Sequence, residues 1–486
     1  MPIALDTIPL NFMVPGVYAE FNNKNATQGT PAQPHVVLLI GTRLSTGTVA
    51  ELVIKPITAP SQGEKYFGRG SMLGAMCKAF KNANANTEVY AIALSEDAAG
   101  VKATSTVTIT GPATEAGTLN FLWGGVRVAV PVAKGDSASA IAANVKVYVD
   151  LETDNPTTVA VVGAVATASC RWKGASGNSL AIALNYYAGQ KTPAGVGVTI
   201  TDFANGETDP DVADVVAALG GDTQYHSIVT PYTDDANMDV LETELESRWG
   251  PMRAIEGHAF AALRATHTDA ITYGDARNSP FSTVVATSLT VDPPWIWAST
   301  VCAIESRQTD PARPRQNLKL PALRAPLEAD RFIAQERHLL LDNGMATFKV
   351  SGPDCYIERL VTTYQVNESN VKDTSYQALE TMRTLAYLRY ALRLRFLLRY
   401  PNYKLGNDGE QFGAGQPVIT PKLARGEIMA LFDEWNLMAL VEDRGQFDDQ
   451  LLVERDPNNP NQLLAFIPPN LVNQFRTLGA QIAFIN

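Results

Sequence analysis

Short runs of unbroken apolar residues, set between helix-forming stretches, constrain this chain more than any other feature. Val-Val-Leu-Leu-Ile-Gly at 36–41 and Val-Tyr-Ala-Ile-Ala-Leu at 89–94 lack the polar–apolar alternation of a half-exposed strand. Such runs read as strands covered on both faces, the way strands of a parallel sheet are buried. Between them a helix is expected after Ser71, a residue suited to cap its first turn. From position 211 the alternation of elements resumes, with a helix at 212–219, a strand at 226–230 and an amphipathic helix at 236–249. Further strands fit 271–273 and 283–287. Helix and strand in turn imply an α/β layer structure.

That texture is interrupted between 101 and 205, where Thr, Val, Ala and Gly dominate and charges thin out. Alternating stretches such as 104–110, with turns at Gly111-Pro112, Gly124-Gly125 and Gly177-Asn178, predict a small, mostly β domain inserted into the α/β one. A Pro-rich tract at 310–326 is too restrained for a helix and reads as an extended connector. From 351 onward the pattern changes again. A helix at 375–400 has one apolar stripe of Leu379, Ala386, Tyr390, Leu394 and Leu397 and an opposite stripe of Leu385, Leu388, Leu392 and Phe396. A helix apolar on two sides lies between layers, with its arginines leaving along the flanks. A second helix is expected at 424–435.

Two stretches stand apart from any evident core. At 17–22, Val17, Ala19 and Phe21 alternate with Tyr18, Glu20 and Asn22, a half-buried strand pattern. It reads either as an edge strand of its own domain or as a strand for something else. At 478–486 the sequence Leu-Gly-Ala-Gln-Ile-Ala-Phe-Ile-Asn is strand-like and carries no charge. An uncovered strand of that kind is an aggregation hazard unless something always pairs with it.

Composition narrows the function. Of 486 residues only 18% are charged and 45% are hydrophobic, with 39 basic against 50 acidic residues and a net charge of −11. The length suits several domains with their own cores, and the acidity argues against nucleic acid as a partner. The low charge density leaves much bland surface for contacts. Cys77, Cys170, Cys302 and Cys355 are widely spaced and read as small buried hydrophobes in a reducing compartment. No signal peptide or membrane span is evident, so a soluble chain made in the cytoplasm, with no direct membrane insertion, is expected.

Catalytic chemistry finds no anchor. The G-x-G-x-x-x-G of Gly68, Gly70 and Gly74 has the wrong spacing for a dinucleotide fingerprint and reads as a loop leading into a Ser71-capped helix. His35, His226, His258, His267 and His338 form no H-x-x-x-H pair. Ser71 and Ser279 lack the setting of an activated serine. Glu442, Asp443, Asp448 and Asp449 lack a calcium-loop pattern and read as a solvated face. No catalytic residue, cofactor or metal is expected.

A series of segments resembles the tail sheath proteins of contractile-tailed phages, particularly the Mu-like type. They are Val14-Pro-Gly-Val-Tyr-Ala-Glu-Phe21, Phe67-Gly-Arg-Gly-Ser-Met-Leu-Gly74, Trp172-Lys-Gly-Ala-Ser-Gly-Asn178, Asp310-Pro-Ala-Arg-Pro314, Asp373-Thr-Ser-Tyr376 and Tyr387-Leu-Arg-Tyr390. The C-terminal third adds Phe412-Gly-Ala-Gly-Gln416, Val418-Ile-Thr-Pro-Lys422, Pro468-Pro-Asn-Leu-Val-Asn473 and Leu478-Gly-Ala-Gln-Ile482. The similarity runs in order over nearly the whole chain.

The resemblance implies a structural protein of the virion, assembled in the host cytoplasm, and not an enzyme. Its partners would be copies of itself in stacked six-subunit rings, a tail tube protein, and the baseplate and tail terminator at the ends. Contraction would drive the tube through the host envelope. A related tailocin or secretion machine is the alternative, and a degenerate hydrolase is a more distant one. The implied fold is α/β plus α+β and multidomain: a subtilisin-like α/β core with an inserted mostly-β domain, a C-terminal α+β domain and strand arms at both ends. The corresponding segments are an arm at 1–22, the α/β domain at 23–100 and 206–350, the insertion at 101–205, the tube-facing domain at 351–477 and an arm at 478–486. The arm strands, Val17, Tyr18, Ala19 and Phe21 with Ala480, Ile482 and Phe484, would pair with neighbouring subunits. The linkers at 22–34 and 471–477 would flex. Lys404, Lys422 and Arg425 would face an acidic tube wall, and the insertion would face outward, dispensable for assembly.

Overall fold

The apolar runs become the middle of a nine-stranded sheet. The computed structural model describes residues 14–17, 33–413 and 415–485. Its contacts divide the chain into two units, one made of 34–386 with 473–486 and the other built on 387–472. In the first unit the sheet order is Leu318–Leu320, Asp354–Arg359, Met345–Ser351, Ser282–Ala286, Ala259–Leu263, Ser227–Val229, Val36–Thr42, Glu88–Leu94 and Lys55–Pro56. The strands from Met345–Ser351 to Glu88–Leu94 run parallel, while the outer ones are antiparallel.

Burial on both faces explains the unbroken apolar runs. Val37 and Leu39 join a core with Met72, Met76 and Phe80 of the helix Met72–Ala83 and with Trp297 and Val301 of the helix Pro294–Glu305. Leu38 and Ile40 point the other way, toward Val215, Leu241 and Leu245 of the helices Ala213–Ala218 and Asp235–Trp249. Period-two side chains thus feed two different cores. Ser71 caps as expected, its Oγ accepting from the Gly74 amide at 3.0 Å. Ahead of it Gly70 has φ +78°, and a side chain there would meet the Asn155 carbonyl oxygen at 2.8 Å. Ser71→Ala is expected to cost about 1 kcal/mol of unfolding free energy, read from urea titration, because it strips the cap from a buried helix end.

Two expectations are corrected here. Residues 271–273 lie within the helix His267–Asp275, where Thr266 caps the first turn by accepting from the Asp269 amide. A three-residue apolar match carries too little period to separate strand from helix. The boundary expected near 350 is also displaced: Asp354–Arg359 pairs with Met345–Ser351 and Leu318–Leu320 in the large sheet, and residues up to 386 belong to the first unit. The Pro-rich tract contributes that edge strand, Leu318–Leu320.

In the insertion, strands and helix pack on one another, and the buried side chains run on into the core of the α/β layer. The insertion folds as β structure, with a four-stranded antiparallel sheet (Gly197–Ile200, Thr104–Thr110, Val165–Cys170, Thr157–Val162) and a three-stranded one (Val126–Val132, Gly117–Trp123, Ile182–Leu184). An unforeseen helix, Ala138–Leu151, packs on them through Ile141, Ala142, Val145 and Val149. These side chains belong to a buried cluster that continues to the nine-stranded sheet. Trp172 meets Trp295 edge-on, ring centroids 5.5 Å apart. Polar groups close the seam: Arg324 donates to the Gly125 carbonyl at 2.8 Å, Tyr186 to the Ala325 carbonyl at 2.7 Å, and the Ser176 amide to Asp209 at 2.9 Å. Asp154 pairs with Lys78 at 2.8 Å.

The second unit is α+β in character. The helix Leu379–Arg399 begins in the first unit and enters the second near Tyr387. Beside it runs Pro421–Leu437, whose Phe432 stacks on Phe447 at 4.2 Å above buried Ile428, Leu431 and Trp435. Arg395 does not leave along a flank. It is buried and paired with Glu434 and, at 3.6 Å, with Glu427, which also takes Arg399 at 3.0 Å. A carboxylate-bearing neighbour helix makes burial of that guanidinium affordable. Among the described residues, the β structure of this unit consists of three two-stranded pieces: Lys404–Leu405 with Val418–Ile419, Val441–Glu442 with Asn470–Leu471, and Leu452–Arg455 with Leu463–Phe466.

Candidate assembly site

Exposed apolar side chains and short strand pairs stand out on the surface of the single chain. The segment 473–485 forms no β ladder in the single chain. A strand exists only when an edge accepts it, and none of its own does. Period two places Leu478, Ala480, Ile482 and Phe484 on one side, and all are exposed, Ile482 at 89% and Ile485 on the other side at 99%. Val17 is likewise fully exposed. Tyr18, Ala19 and Phe21 lie outside the described residues.

Among the described residues, the strands of the second unit pair only in twos. A two-stranded piece leaves backbone donors and acceptors open on its outer side. The Leu452–Arg455 and Leu463–Phe466 pair also exposes Leu452 and Phe466. Of the expected cations on this unit, Lys404 and Lys422 are exposed. Arg425 is already engaged, donating to Asp448 Oδ1 at 2.7 Å and to the carbonyls of Asp448 and Leu451. Asp448, read from sequence as part of a solvated face, is that partner.

Beneath the arm roots lies a buried charge network that sequence reading missed. Arg383 holds both oxygens of Glu305 at 3.0 and 3.1 Å, and donates to the His226 carbonyl and Ser227 Oγ, each at 2.7 Å. Arg315 lies 3.4 Å from Glu305. Its backbone amide donates to Glu380 at 2.6 Å, and Glu380 pairs with Arg476 at 2.9 Å. His35 and His226 stack with ring centroids 5.2 Å apart. Their separation in sequence hid the cluster, and a lone Glu or Arg in a helix carries no visible partner.

Electrostatics here disfavour acid. Burial alone would raise the Glu305 carboxyl, but Arg383 and Arg315 outweigh it and hold it at about 2. Burial, with Arg383 nearby, lowers His35 to about 3 and His226 to about 4. Below its ordinary pKa near 6.5 each histidine takes a proton in the unfolded chain and not in the folded one, so stability falls from there down to the folded value. Glu305 adds a loss from about pH 4.5 toward 2. Urea unfolding is therefore expected to weaken by a few kcal/mol between pH 7 and 4. His226→Gln should flatten that slope.

The histidines otherwise satisfy structure: His258 Nε2 lies 2.8 Å from Thr283 Oγ1 and His267 Nε2 lies 3.2 Å from the Glu336 carbonyl. The four cysteines are buried and unpaired with one another. Among the described residues, no acidic, His or Cys cluster could hold a metal ion, and no helix is long and apolar enough to cross a membrane.

Comparison with known proteins identifies the class. Residues 205–363 match the central domain of phage tail sheath proteins, and 371–485 match the phage tail sheath C-terminal domain. The chain belongs to the phage tail sheath family, whose members are structural proteins of contractile tails and not enzymes. It is 39% identical over 488 residues to the Mu-like prophage FluMu tail sheath protein of Haemophilus influenzae, covering 100% of both chains, and is of the Mu-like type. Among solved structures, it is similar to a sheath tail protein from Desulfitobacterium hafniense (14% identity, 94% of this chain and 100% of that one, TM-score 0.47). It is also similar to a chain of the anti-feeding prophage baseplate (9% identity, 98% and 100% covered, TM-score 0.48).

Proposed function

We propose that the chain polymerises as stacked six-subunit rings around a tail tube and that shortening of this lattice drives the tube through the host envelope. The full-length similarity to a Mu-like tail sheath protein carries this reading. The exposed C-terminal segment supports its mechanism: Leu478, Ala480, Ile482 and Phe484, with Val17, Tyr18, Ala19 and Phe21 at the other end, add as strands to open edges of neighbouring subunits. Backbone pairing of this kind gives affinity while alternate side chains give register. The subunits then turn as rigid bodies while strand pairs persist. No nucleotide is needed, because a surplus of roughly a few kcal/mol per subunit in the contracted lattice sums over many copies.

Lys404 and Lys422 are the cations available to an acidic tube wall. Individually weak surface pairs suit an interface that must let go on firing. The baseplate and the tail terminator would hold the ends, and assembly would take place in the host cytoplasm. Negative-stain microscopy of the purified chain tests the reading. Tubes or rings about 200 Å wide are expected, from six-fold packing of domains of this size. A chain that stays monomeric at every concentration contradicts it.

A further inference from the structure

We infer that the buried charge network is an anchor joining the roots of both terminal arms, so that the two arms of one subunit leave its body at a fixed spacing. The inference uses the proposed sheath role only for what the arms do; the anchor itself belongs to the single chain.

The contacts form an unbroken path. His35, just ahead of the first sheet strand, places Nε2 3.0 Å from Ser227 Oγ. Ser227 accepts from Arg383, Arg383 grips Glu305, and Glu305 pairs with Arg315. The Arg315 amide donates to Glu380, and Glu380 pairs with Arg476. Gln316 closes the far end, its amide donating to the Phe475 carbonyl at 3.0 Å while its Oε1 accepts from Arg476 at 3.1 Å. Every link is a hydrogen bond or ion pair, and Glu305 and Glu380 are wholly buried. In such low-dielectric surroundings an unpaired partner is costly, so the links are made or broken together.

The path thus ties together the segment at His35, the segment at Phe475 and Arg476, and the start of the helix Leu379–Arg399, which carries Glu380 and Arg383. Flexing of the C-terminal linker, expected over 471–477, is thereby moved outward, since Phe475 and Arg476 are tied down. Arg383, Glu305 and Glu380 are positioning residues, which act by holding the roots. A network with two arrangements, made or broken, is the physical form coupling takes over such a distance.

The test is the distance between nitroxide labels on Pro34→Cys and Leu478→Cys, both exposed positions, in the unassembled chain; the native cysteines are buried and stay unlabelled. Pulsed electron spin resonance should give one narrow distribution. Glu305→Gln should broaden its width roughly two-fold, and Glu380→Gln, which breaks the same path nearer its C-terminal end, should do so too. Ser71→Ala, which weakens the same unit elsewhere, should leave the width unchanged. A broad distribution in the parent chain, or an unchanged width in folded Glu380→Gln and Glu305→Gln, overturns the anchor. If Glu305→Gln fails to fold, Glu380→Gln and Ser227→Ala decide. Since no assembly is required, a chain that never forms tubes would leave this result standing.

Discussion

Removing residues 478–486 is expected to leave a folded chain that forms no tubes. The segment 473–485 makes no ladder, and its last large side chains face solvent, so the body loses little when they go. The lattice loses much. Burying Leu478, Ile482, Phe484 and Ile485 against a neighbour is worth about 1.5–3 kcal/mol for each side chain, before any backbone pairing. That contribution recurs at every subunit, so even partial loss shifts a polymerisation threshold by orders of magnitude. The cut falls beyond Arg476, which keeps the buried pair with Glu380 intact. Removing 1–22 should have the same result. Urea unfolding should match the parent within experimental spread, while microscopy should show only dispersed particles; tubes from either truncated chain would defeat the strand-exchange mechanism.

Excising residues 101–205 is expected to destroy the fold instead of trimming an ornament. In the sheath reading of the sequence this region was an outward, dispensable insertion. In the structure its buried side chains run on into the core of the α/β layer, with Trp172 against Trp295 and with Val107, Phe121 and Val145 in the same cluster as the sheet strands. Joining 100 to 206 would expose that face and leave Asp209 without the Ser176 amide and Arg324 without the Gly125 carbonyl. The milder Trp172→Ala should already lose about 3–5 kcal/mol, because a large buried aromatic leaves a cavity the surroundings only partly fill. Near-ultraviolet dichroism and urea titration read both. A cooperatively folded excised chain would restore the insertion as a separate domain.

The parts legible in sequence were those whose pattern is local. Val36–Thr42 and Glu88–Leu94 announced themselves by unbroken apolar runs, and the Ser71 cap by its place before a helix. The helix Pro294–Glu305 escaped notice for the opposite reason: buried all round except at Ile296, it offers no stripe and begins with proline. The strand at 354–359 fell in the following domain, because sheet membership depends on partners that a local pattern does not show. The same limit applies to function. An uncharged strand-like end was visible, whereas the Arg383–Glu305 grip, linking positions 78 residues apart, was not.

The most direct test of the account is a cryo-electron microscopy reconstruction of the assembled tubes that resolves residues 478–485. The account predicts this segment as a strand in register with an edge of a neighbouring subunit's 387–472 unit, with Leu478, Ala480, Ile482 and Phe484 turned to one side. A segment that pairs with its own subunit, or one that hangs unpaired from intact tubes, would contradict it.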